Sequence, residues 1–169
     1  MDFKDKLLQH MLEMCTGSGL LKGVLLSTPD IDGMWLRLAP SYYGDAVREF
    51  NAYPEFSLGC AGYLGMAAAY LWDKDWARYG SVEYGFFQGP RGFDDMDDHI
   101  TDNVLRERAF SVPAMQSCAS WAYHFLMREA LEPGTAEAYR MFLSTAEVMF
   151  KVGAAVELCR LGYSFEVIG

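Results

Sequence analysis

The sequence predicts an all-α fold: a single-domain, roughly antiparallel helical bundle of about five or six main helices. Three observations carry that expectation. Apolar residues recur at three- and four-residue spacings through most of the chain, and the alternation of a half-buried strand is almost absent. Proline, glycine and capping residues divide these periodic stretches at intervals suited to helices and connections. The 169 residues are of single-domain size, with no repeat, low-complexity segment or linker to divide them.

The first helix is expected over residues 2–15. Phe3, Leu7, Leu8, Met11, Met14 and Cys15 form its apolar face, Lys4, Lys6, Gln9, His10 and Glu13 take the other side, and Gly17 stops it. Residues 18–54 read as short helices joined by tight corners. One covers 20–26, another starts at Thr28-Pro29-Asp30, Pro40 interrupts it, and Ser41 caps a third through residues 42–51.

The segment 54–79 is the most distinctive helix. Gly62, Gly65 and Ala69, beside Ala61 and Ala68, place a strip of small residues at helical spacing. Glycine inside a helix costs about 0.5–1 kcal/mol relative to alanine. Several together need compensation, either a closely approaching backbone or a flat ligand bounded by Tyr63, Tyr70, Trp72 and Trp76.

Residues 80–92 form the longest irregular stretch, with Arg91 at the tip of a Gly-Pro-Arg-Gly turn. No GKS or GKT and no preceding strand accompany it, which excludes a phosphate-binding P-loop. Asp94 is expected to open a helix to about residue 109, Ser111-Val112-Pro113 the next to residue 131, and Thr135 the last to residue 161. On that last helix Glu137, Arg140, Ser144, Glu147 and Lys151 make one narrow polar stripe. A helix so apolar elsewhere belongs at the centre of the fold or in a subunit interface, so a homo-oligomer is expected. Residues 162–169 are β-prone and read as an extended tail.

Composition narrows the functional classes. Half the residues are apolar, which excludes disorder, and a net charge of −9 opposes binding to phosphates. Nucleic acid and anionic membrane surfaces are therefore not expected as partners. Residues 56–72 carry no charge, nor do 109–127 apart from His124, but neither is apolar and long enough to read as a membrane span. The amino terminus lacks a secretory pattern. Cys15, Cys60, Cys118 and Cys159 are scattered in apolar surroundings without CxxC spacing, which points to a reducing, cytoplasmic setting.

Chemistry concentrates in Phe93-Asp94-Asp95-Met96-Asp97-Asp98-His99 and Asp102. On a helix, Asp95, Asp98, His99 and Asp102 share a face and form a candidate divalent-metal site, with Arg91 available for a substrate phosphate. The same aspartates also suit a helix start, where carboxylates are stabilised by the macrodipole. Asp94, Asp95 and Asp98 fit the DDxxD string of isoprenoid synthases, but no second metal motif accompanies it and the chain is too short for that fold.

Ser120 and His124, in register with Gln116, Ser117 and Arg128, form either a solvated stripe or the polar wall of a ligand pocket. No nucleophile elbow accompanies them. Trp72 and Trp76 are further candidate ligand contacts. The histidines lack metal-binding spacings and no dinucleotide or haem motif occurs, so no cofactor beyond a divalent cation is expected. Two functions follow. The first is a non-enzymatic binding or protein-interaction module that self-associates. The alternative is a divalent-metal-dependent hydrolase or transferase acting on a phosphorylated substrate through the acidic cluster from Asp94 to Asp102.

Overall fold

The computed structural model describes residues 2–49 and 52–164; among these it contains six α-helices and no β-strand. In chain order they are α1 (Phe3–Gly17), α2 (Pro29–Glu49), α3 (Pro54–Tyr79), α4 (Met96–His99), α5 (Arg108–Met127) and α6 (Ala136–Arg160). The expected all-α bundle is the fold. No helix among the described residues is long and apolar enough to cross a membrane.

The long helices alternate in direction along the chain. Tyr42 donates to the Ser57 carbonyl at 2.6 Å while Trp72 reaches back to Asp30, so α2 and α3 are antiparallel. Gly59 faces Ala119 and Gly62 faces Met115, which sets α5 against α3. Cys15 lies 3.7 Å from Cys118 and His10 packs on Phe125, which sets α1 against α5. Separated by one returning helix, α3 and α6 run parallel: Gly62 meets Gly153, and further along Trp72 packs on Tyr163, just past the end of α6.

This parallel pair is the axis of the core. Residues 57–69 of α3 are all buried, and α1, α2, α3 and α5 all pack against α6. The backbones come unusually close. A Cβ on Gly65 would run into the Phe150 carbonyl and lie 2.8 Å from the Ala154 nitrogen, and one on Gly153 would run into the Gly62 carbonyl. The small-residue strip is filled by the neighbouring backbone, leaving no room there for a flat ligand. The thin polar stripe of α6 has the same cause, since the remaining faces are wrapped within a single chain and Lys4 pairs with Glu147 on the stripe.

Several expected boundaries move. Residues 20–26 are irregular rather than helical, with Leu21 and Leu26 buried and Gly23 in the left-handed region at φ 79°. Pro40 lies inside α2 instead of dividing it. Its ring is exposed, so the carbonyl that loses its partner faces water, while Trp35, Leu38, Tyr42 and Ala46 hold the opposite face in the core. The helix opened near Asp94 stops at Arg106, which is left-handed at φ 57°, and α5 starts at Arg108 with exposed Pro113 inside it. At the other end α5 stops at Met127, four residues early, as Ala130 turns left-handed. Thr135 does cap α6, accepting from the Ala138 amide at 3.2 Å. Residues 165–169 of the expected tail lie outside the described residues. The 80–92 stretch is pinned rather than loose, because Arg37 donates to the Gly80 and Val82 carbonyls and Tyr84 donates to Asp45.

One ion pair is built into the far end of the core. Glu157 on α6 is 0 % exposed and accepts two hydrogen bonds from Arg160, each 2.7 Å long. The Arg160 guanidinium in turn lies over the Phe110 ring. Burial raises the Glu157 carboxyl above its ordinary range, and Arg160 opposes that shift.

Candidate functional site

The acidic segment folds so that Asp95 turns away from Asp98 and Asp102, which meet at one arginine. Gly92, left-handed at φ 73°, leads into a tight turn over Phe93–Asp95 that precedes α4. Asp95 accepts the Arg91 amide at 3.1 Å and so closes the 89–92 turn, while the Arg91 side chain stays exposed. After α4 the backbone widens into a π-helix over Ile100–Leu105, closed by the Arg106 amide donating to the Thr101 carbonyl. Such segments are rare and recur beside functional sites. This turn brings Arg108 back over the preceding helix. Its Nε and Nη2 grip Asp102 at 2.8 and 2.9 Å, and Nη2 also reaches Asp98 at 2.7 Å. The guanidinium holds the Asp102 carboxyl below its usual range.

His99 is likewise occupied, with Nε2 donating to the Phe86 carbonyl and Nδ1 accepting from Asn103, each at 3.1 Å. Among the described residues no group of three or more His, Cys, Asp or Glu side chains converges to hold a metal ion. Melting the protein in magnesium, manganese, calcium or zinc is therefore expected to give the midpoint found with EDTA. A ligand at a hundredfold excess over its dissociation constant would add about 2.7 kcal/mol. A rise of that kind, abolished by Asp98→Asn, would overturn the assignment of these aspartates to Arg108.

The other sequence candidates are dispersed. Ser120 and His124 do meet, but the His124 Nδ1 donates to the Ser120 carbonyl at 2.7 Å and is not available as a base for the hydroxyl, 3.3 Å away. Trp72 donates to Asp30 at 3.2 Å and packs on Tyr163, and Trp76 packs beneath the backbone of Gly80. Both tryptophans lie toward the carboxyl end of α3, away from the acidic turn.

What the fold does bring together is a different set. Glu55, Phe56 and Tyr63 recur along one face of α3, Met115 and Gln116 face them from α5, and α4 supplies Asp97. Together with Gly59 and Ala119 they line an open recess of about 340 Å³. Tyr63 is only 6 % exposed as a residue, and its hydroxyl, which has no protein hydrogen-bond partner among the described residues, opens onto this recess. A phenol that faces a recess rather than a protein acceptor is free to bond water or a ligand there. Burial and then Asp97 push the Tyr63 phenol well above its usual range, so it stays protonated. Asp97 is half-buried, and its carboxyl is raised chiefly by burial while nearby backbone amides oppose the shift. The cavity thus offers two carboxylates, a neutral phenol and an amide beside an aromatic ring and a thioether. It contains no Ser, Cys or His and so no nucleophile–base pair.

Two other recesses are more apolar. One of about 200 Å³ beside Tyr123, Leu126 and Met127 and one of about 300 Å³ beside Phe110 and Trp121 are lined by no charged side chain.

The sequence reading named Tyr63 only as an edge of the glycine strip, and Asp97 only as part of the acidic string. The spacing of Glu55, Phe56, Gly59 and Tyr63 was the available signal, since these positions share one helical face. Comparison with protein-family profiles, with curated proteins and with solved structures finds no significant match for the chain. Fold and cavity together define the class: an all-α bundle with a polar recess between α3, α4 and α5.

Proposed function

We propose that the protein is a non-enzymatic binding module whose site is the cavity between α3, α4 and α5. The observation that carries this is Tyr63, a residue 6 % exposed whose hydroxyl opens without a protein partner onto a recess of about 340 Å³ that Asp97 also lines. That volume lies within the usual range for small-molecule sites, which combine apolar walls with a few polar groups that fix orientation. The metal-dependent alternative is weakened because Arg108 already holds Asp98 and Asp102. Self-association is not needed to cover α6, which is wrapped inside one chain.

The test is a ligand-observed NMR screen of a fragment collection against the wild type and Gly59→Leu. A Cβ added at Gly59 would have only the Ala119 Cβ, 3.9 Å away, within 4 Å. The leucine is therefore expected to fill the recess while the protein melts no lower than the wild type, because replacing a helical glycine recovers about 0.5–1 kcal/mol. Fragments that bind the wild type should lose their signal in Gly59→Leu. If the same fragments bind both proteins equally, the cavity is not the site.

A further inference from the structure

We infer that the cavity is selective for a small organic cation with an apolar body, an inference that rests on the cavity being a binding site. Among the side chains that line it, Glu55 and Asp97 carry negative charge and none carries positive charge. The cation that bears on Tyr63 and Asp97 is Arg108, whose Nε and Nη2 already hold Asp102 and Asp98. Among the side chains that line the recess, a ligand carboxylate or phosphate would meet two like charges and only the Tyr63 phenol and the Gln116 amide as donors. An ammonium group finds acceptors in the Glu55 and Asp97 carboxylates and the Tyr63 hydroxyl.

The remaining walls suit the body of such a ligand. Phe56 is half-buried, its ring fixed edge-to-face against Phe93 at 5.6 Å, and Met115 is fully buried opposite it. An aromatic face beside carboxylates adds cation–π attraction, and a thioether packs well on flat apolar groups. The volume of about 340 Å³ accommodates about ten non-hydrogen atoms at the packing of liquid water. Exposed Asp94 and Asp98 flank the site, and the net charge of −9 draws cations toward the protein as a whole. Tyr63 gives the orientation, since its hydroxyl can accept from the ammonium while donating to a second polar atom of the ligand.

Benzylamine, benzyl alcohol and benzoate share one shape and differ in charge, which makes them suitable probes. Titrated into the wild type by calorimetry and by chemical-shift mapping, benzylamine is expected to bind and benzoate is not. Asp97→Asn should weaken benzylamine about tenfold, the effect of losing one charge-assisted hydrogen bond. Benzyl alcohol binding as tightly as benzylamine, and lost in Gly59→Leu, would overturn the selectivity while leaving the cavity a binding site. Benzylamine binding that survives in both Gly59→Leu and Ala119→Met, with each variant folded by circular dichroism, would overturn the site as well. No benzylamine response from the wild type up to the solubility limit would overturn the inference outright.

Discussion

Gly65→Ala and Gly153→Ala are each expected to destabilise the protein by about 3 kcal/mol, the upper part of the range for overpacking a close contact. For a domain of this length that lowers the melting midpoint by about 6–12 °C. The collision partners are the backbone atoms of Phe150 and Ala154 for the first and the Gly62 carbonyl for the second, and backbone cannot rotate aside as a side chain can. The same change at Gly33 or Gly44, in α2 with nothing within 4 Å, should have the opposite sign and raise stability by about 0.5–1 kcal/mol. Urea or thermal unfolding of the four variants tests both halves. Gly65→Ala matching Gly33→Ala would mean that α3 and α6 do not touch at this crossing.

Arg160→Met is expected to be as damaging, and to depend on pH. Removing one member of a buried pair costs about 3–5 kcal/mol because the remaining charge keeps its desolvation penalty. Here that charge is Glu157, 0 % exposed and left without its two hydrogen bonds. The sign follows from linkage. Burial already raises the folded-state carboxyl above its ordinary value of 4.5, and loss of Arg160 raises it further. Protonation is then favoured in the folded state, so stability falls as pH rises from the ordinary value through the raised one. The deficit of Arg160→Met should thus be largest above neutrality and shrink in mild acid. Glu157→Gln combined with Arg160→Met should recover much of it. A deficit independent of pH would mean that Glu157 is solvated in the variant.

The helices were legible because their apolar faces repeat and their caps are local: Thr135 before α6 is both a sequence signal and an observed hydrogen bond. Pro40 misled because a proline breaks a helix only where its lost hydrogen bond is not replaced by water, and whether it faces water is a tertiary fact. The acidic cluster was visible as composition but not as geometry. Asp95, Asp98 and Asp102 lie on one face of an ideal helix, yet Asp95 precedes α4 and turns back onto the Arg91 amide, so only Asp98 and Asp102 stay together. Arg108, several residues further on, decides what Asp98 and Asp102 do. Tyr63 and Asp97 are distant in sequence, and nothing local signals that α4 would close over α3.

The parallel axis of the core has a consequence for the order in which the chain acquires structure. Most helical bundles fold quickly because neighbouring helices meet through short connections. Here the tightest crossing joins Gly62 to Gly153, and all of α4 and α5 must be traversed to reach it. Closing a loop of about ninety residues incurs its entropy before any of the packing energy returns. During synthesis α3 therefore leaves the ribosome with its most apolar face uncovered and stays so until α6 has emerged. Over that interval the glycine strip is a naked docking surface, the point at which a chaperone would be needed and at which misassembly between nascent chains would begin.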